Sequence, residues 1–133
     1  MTDLGLLFHG YSEDTAQTIA DFLGGKLGNP IHIFGAQGQD ESTVQQILDG
    51  AAQGFGDGDP KVMMLLGFEN DQVQVVLKQF PIDIPRPIFC GLTEDNLTWN
   101  IRHLKEHLIE EQAYWKEEAR KKIEMEKEGA NQI

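Results

Sequence analysis

The chain has one cysteine, Cys90, among 133 residues, and only 11 lysines and arginines against 22 aspartates and glutamates. A lone thiol excludes a disulfide framework and any zinc site built from several cysteines. With no N-terminal basic, apolar and small-residue succession, it suits a reducing compartment. No run approaches the ~20 consecutive apolar residues that a bilayer span requires. A soluble, cytoplasmic protein is expected. The shortage of bases argues against nucleic acid and anionic membrane as partners, because phosphate binding needs clustered Lys and Arg. The shortage is uneven: residues 1–97 hold 14 acids and four bases, a balance of -10, whereas residues 98–133 hold eight acids and seven bases, a balance of -1. Solubility alone accounts for such an excess on the larger part.

What the sequence does have is short apolar runs alternating with helical stripes, at a length that fits one domain spanning 1–133. "GLLFHG" (5–10) reads as a strand buried on both faces, closed by Gly10. A helix follows, capped by Ser12, with Glu13 and Asp14 in its first turn, Ala16, Ile19, Ala20 and Leu23 on one face, and Gly24 and Gly25 as the stop. "PIHIFG" (30–35) reads as a second strand. A second helix carries Val44, Ile47, Leu48 and Ala51, with Asp40, Ser42 or Thr43 as its cap. The Gly- and Asp-rich stretch 54–60 reads as a linker. The pattern then restarts with a strand over 61–67, a stripe of Val73, Val76, Leu77 and Phe80, a strand within 84–92, and a long final helix.

The two halves, about 4–53 and 61–110, align without a gap at an offset of 57: Gly10 falls on Gly67, Tyr11 on Phe68, Pro30 on Pro87, Ile31 on Ile88, Val44 on Ile101 and Ile47 on Leu104. Any two βαβα units share an apolar pattern, but not Gly-aromatic and Pro-Ile in one ungapped register. That register favours a tandem duplication.

In the second copy, "MMLLGF" with Gly67 and Phe68, then "PIFCGL", then Thr93, Asn96 and Trp99 in "TEDNLTWNIRHL" carry a resemblance. Residues 63–116 resemble the small bacterial family called domain of unknown function 3783. In that family a strand ending in Gly-aromatic precedes a helix, a second strand and a Thr-x-x-Asn-x-x-Trp segment opening a charged helix. The resemblance implies these elements and no activity. The first half keeps the Gly-aromatic element in "LLFHGYSED" but has no counterpart of Thr93, Asn96 and Trp99.

The expected fold is α/β: a four-stranded parallel sheet in the order 2-1-3-4, with helices on both faces. In that arrangement the loops after the first and third strands diverge and leave a crevice, lined by Gly10, Tyr11, Ser12 and Glu13 from one half and by Gly67, Phe68, Glu69 and Asn70 from the other. Its chemistry is not obvious. Acids in both first helical turns oppose an anion and are ordinary partners of a helix dipole. No metal site, cofactor or catalytic group is expected. His9 and His32 on adjacent strands read as hydrogen-bonded structural residues, His103 and His107 as part of a solvated face, and Cys90 as core. Thr93, Asn96 and Trp99 read first as a helix cap with a packed ring, and second as a recognition surface.

The last helix is oversized. Run from 98 to about 128 it would measure ~45 Å against a domain ~30 Å across, so residues 111–133 protrude as helix or tail. Ile101, Leu104 and Leu108 serve the core, and only Trp115, Ala119 and Ile123 continue the row. Two functions follow as expectations. The first is a non-enzymatic interaction or regulatory module that engages a protein partner or a second copy through this helix. The second is a small-molecule or ion binder, with or without enzymatic activity, in the crevice.

Overall fold

Four short apolar runs form the strands: β1 (Leu4–His9), β2 (Ile31–Gly35), β3 (Val62–Leu66) and β4 (Ile88–Gly91). They make one sheet in the order β2-β1-β3-β4. The computed structural model describes residues 4–50 and 53–131, with side chains described as far as Ile123, so Ala51 and the last two residues lie outside the described part. Successive strand residues alternate between two cores: Leu6, Phe8, Met63 and Leu65 face one side, and Leu7, Val62 and Met64 the other. Burial on both faces is why these strands read as continuous apolar runs.

The strand order agrees with the expectation, but the sheet is mixed rather than parallel. β1 pairs in parallel with β2, and β3 with β4, whereas β1 and β3 run antiparallel, with Gly5 opposite Leu66 and His9 opposite Val62. The connection from β2 to β3 is anchored at one end of the sheet. α2 (Val44–Leu48) has five residues and spans ~7.5 Å, so it does not itself run the length of strands of ~17–20 Å. The chain stays at the end of the sheet where β1 and β2 finish, and enters β3 from there. Segment 54–60 holds it in place and is no loose linker: Gly54 N–H donates to Gly35 O (3.0 Å), Gln37 N–H to Gly54 O (2.9 Å) and Gly56 N–H to Tyr11 O (2.9 Å). A Cβ on Gly54 would sit 2.0 Å from the Gln37 carbonyl oxygen, so this contact requires glycine.

Antiparallel joining redistributes the helices. α1 (Glu13–Leu27) and α3 (Asn70–Gln79) share one face, contributing Ala16, Ile19, Leu23, Val76 and the adjoining Phe80 to a single core. α2 and α5 (Ile101–Asn131) share the other, through Val44, Ile47, Ile101, Leu104 and Leu108. The halves thus relate by a pseudo-twofold normal to the sheet, not along the strands. Residues 57 apart meet across it: Leu7 pairs with Met64 and Thr43 with Asn100. Val44 N–H donates to Trp99 O (3.0 Å) and its positional equivalent, Ile101 N–H, to Ser42 O (2.9 Å).

Two helix boundaries differ from expectation. α1 runs through Gly24 and Gly25 to end at Gly28, whose φ of 71° supplies the left-handed cap. The final helix begins at Ile101 and not at 98, because the short α4 (Glu94–Leu97) precedes it and residues 98–100 turn to bridge α2. Of the caps proposed for α2, Thr43 is the one used, accepting from Gln46 N–H at 3.1 Å.

Candidate functional site

The eight crevice residues do not form one site. With β1 and β3 antiparallel, Gly10 lies beside the start of β3 and Gly67 beside the start of β1, at opposite ends of the sheet and ~20 Å apart along the strands. The shared crevice is therefore ruled out, since it required both loops at one edge.

Each set plays a local part. Gly10 (φ 89°) and Gly67 (φ 80°) take the same left-handed turn after their strands. A Cβ at Gly10 would lie 2.5 Å from Gly58 O, so segment 58–61 closes over it. Tyr11 is buried, and its hydroxyl donates to Pro85 O. Burial pushes its pKa up. Ser12 caps α1, accepting from Thr15 N–H at 3.2 Å, and Glu13 stands exposed in the first turn. Glu69 is the α3 N-cap, with its N–H on Gln72 Oε1 at 2.8 Å, and Asn70 opens that helix exposed to solvent. Gly67 and Phe68 line an open, mainly apolar groove of about 600 Å³ at the end of β3 and β4, together with Leu65, Val73, Phe89 and Leu92. Val73 belonged to the expected α3 stripe, and the expected strand order already put β4 at the sheet edge, but nothing in the sequence marked these residues as the walls of one groove.

Where the first loop closes, a polar cluster forms that no sequence pattern announces. His9, 3% exposed, has Nδ1 2.7 Å from Pro60 O, so Nδ1 carries the proton and Nε2 presents a lone pair. Lys105 Nζ lies 3.4 Å from that nitrogen and donates to Asp40 Oδ1 at 2.7 Å. Lys61 Nζ donates to Gly10 O (2.9 Å) and Gly58 O (3.0 Å) and lies over the Tyr11 ring. Burial lowers the His9 pKa, opposed by the Pro60 hydrogen bond and reinforced by Lys105, so the ring is held neutral. Asp40 is lowered by its bond to Lys105. The cluster ties α5 to the end of β1, with both ring nitrogens engaged. His32 is exposed on β2 opposite Gly5 and far from His9. The Cys90 thiol is pushed up to about 12 by burial, and by Glu111 nearby, which leaves it a poor nucleophile.

The Thr-x-x-Asn-x-x-Trp segment forms a corner between β4 and α5. Thr93 Oγ1 accepts from Asn96 N–H (3.0 Å), Asn96 Oδ1 accepts from Thr93 N–H (2.8 Å), and Asn96 Nδ2 donates to Gly91 O (2.9 Å). Asn96 is buried, and this reciprocal capping explains why. Trp99 packs in the α2/α5 core against His103 (ring centroids 4.5 Å apart) and His107 (4.8 Å). Both histidines are exposed on their other sides.

Strand, corner and helix now stand in the sequence-to-structure order of the resemblance. Residues 61–115 match the family described as Domain of unknown function (DUF3783). This DUF3783 segment holds β3, α3, β4, α4 and the part of α5 that reaches Trp115. No curated protein and no solved structure matches the chain.

In the last turn of the DUF3783 segment, from Glu111, α5 leaves the domain. It starts at the middle of the sheet, passes under β3 and β4, and at Glu111, Gln112 and Trp115 forms a second groove of about 210 Å³ with Ile88, Phe89 and Leu108. From the rim of this groove outward, Trp115 is 61% and Ile123 54% exposed, with Ala119 exposed between them and Tyr114 against the Trp115 ring. Among the described residues, no helix is long and apolar enough to cross a membrane, and no three metal-ligating side chains converge.

Proposed function

We propose that the protein is a non-enzymatic interaction or regulatory module that engages a protein partner, or itself, through α5. The observation that carries this reading is the exposed row of Trp115, Ala119 and Ile123 on the protruding helix. A tryptophan and an isoleucine more than half in water lose favourable burial, ~1.5–3 kcal/mol for a large apolar side chain, until something covers them. Supporting it, the polar groups inside the domain are absorbed in caps and ties: Asn96 in its corner, His9 between Pro60 and Lys105. The same reading takes the halves as copies of one ancestral unit, of which only the second gained the Thr93, Asn96, Trp99 corner and the long helix. The test is a photo-activatable phenylalanine in place of Trp115 in cells producing the chain. Discrete cross-linked species are expected, and irradiation that yields only the uncross-linked chain defeats the reading.

A further inference from the structure

The surface beneath the protruding row can be identified from the sheet it leaves. The spacing that buries Ile101, Leu104 and Leu108 on the sheet continues unbroken through Gln112, Trp115, Ala119 and Ile123, close to 11 residues per three turns. One helix face therefore packs on β3 and β4 and then continues past the edge of the sheet. A continuation of the same sheet would extend the packing this face already makes.

β4 is open to supply it. It ends the sheet, and since Ile88 N–H donates inward to Lys61 O, the alternation of a strand turns the N–H and C=O of Phe89 and Gly91 outward. Gly91 O accepts from Asn96, which leaves Phe89 N–H and C=O and Gly91 N–H at the edge. The opposite edge is different, because Gly54 lies against Gly35 there. Charge points the same way. Residues 84–92 contain no acid and one base, Arg86, in a chain of net charge -11, so this strip brings no opposing carboxylates to a second copy; residues 22–39, which hold β2, are equally free of acid, and it is Gly54 that sets that edge apart. The chain also uses the required joint internally, since β1 and β3 pair antiparallel about a twofold normal to the sheet.

Building on the reading of α5 as the engaging element, we propose that its partner is a second copy of this chain. The two copies join antiparallel at β4, so that the sheet continues from one into the other. The Trp115, Ala119, Ile123 row of each α5 lies over the added strands, with the two helices side by side.

The test is amide hydrogen exchange on the full chain across a range of concentrations, beside light scattering and a Trp115→Glu variant. Because Trp115 is exposed in the single copy, the variant folds. Expected are a dimer, protection of the Phe89 and Gly91 amides that rises with concentration, and association weakened at least ~30-fold by Trp115→Glu. A monomer at every concentration overturns the proposal. So does a dimer whose Phe89 and Gly91 amides exchange freely, since the joint would then lie elsewhere. Neither result decides whether α5 engages another protein, which the cross-linking at residue 115 reads separately.

Discussion

His9 is the residue at which the domain's stability meets pH. Its Nδ1 proton is fixed by Pro60 O and its Nε2 faces the Lys105 ammonium, so a second proton would place two cations within 3.4 Å in a buried site. Lys61 adds to that cost and Asp40 offsets part of it. The folded pKa is therefore below the ordinary 6.5, and the unfolded chain takes up this proton first as pH falls. Stability from His9 is complete above 6.5 and drains as pH drops toward its folded pKa, with a slope up to ~1.4 kcal/mol per pH unit. Asp40 contributes a separate loss below its ordinary 3.8, as pH falls through its lowered value. Urea midpoints at about pH 7.5 and about pH 5 measure the His9 part. His9→Gln, whose amide can still donate to Pro60 O, is expected to cost ~1–2 kcal/mol at the higher pH and to flatten the difference between the two. An unchanged difference would mean that other groups carry the dependence.

At the scale of elements, the DUF3783 corner is a joint. Asn96 makes three hydrogen bonds from a buried position, two of them to backbone groups that no helix or ladder otherwise serves. Asn96→Ala should cost ~1–3 kcal/mol and loosen the start of α5, read as a lowered thermal midpoint with exchange increased at residues 93–101. If the midpoint stays put, the motif is kept for recognition. Much of this level was legible from sequence: four apolar runs are the four strands, Ser12 caps α1, and the order 2-1-3-4 follows from two βαβ units side by side. The direction of β3 was not legible. An offset of 57 is satisfied equally by a twofold along the strands or normal to the sheet, and both give the same order. The choice rests on Gly54 docking against Gly35 and Gln37 and on Gly56 against Tyr11, contacts that apolar periodicity does not encode. The shared crevice rested on that direction and fell with it. The helix row Trp115, Ala119, Ile123 was legible because a 3.6-residue repeat persists whatever lies beneath it.

For the whole molecule, the division that matters is between an acidic body and a nearly neutral helix that leaves it. The buried row of α5 ends at Leu108, and from Glu111 onward the side chains described as far as Ile123 are exposed. The overhang therefore adds little to the folding of a single copy, and its apolar side chains matter only when something covers them. Ending the chain after Gln112 removes Trp115, Ala119 and Ile123 but keeps Ile101, Leu104, Leu108 and the Lys105 tie to Asp40 and His9. At the lowest measurable concentration the thermal midpoints of the shortened and full chains should agree within about 3 °C, a shift of under ~1 kcal/mol for a domain of this size. Raising the concentration should then lift the midpoint of the full chain alone, because only that chain gains stability by mass action from association. A shortened chain that melts ~10 °C or more below the full chain at low concentration would instead make the overhang part of the monomer's own core, and the exposed row would lose its meaning as a surface for others.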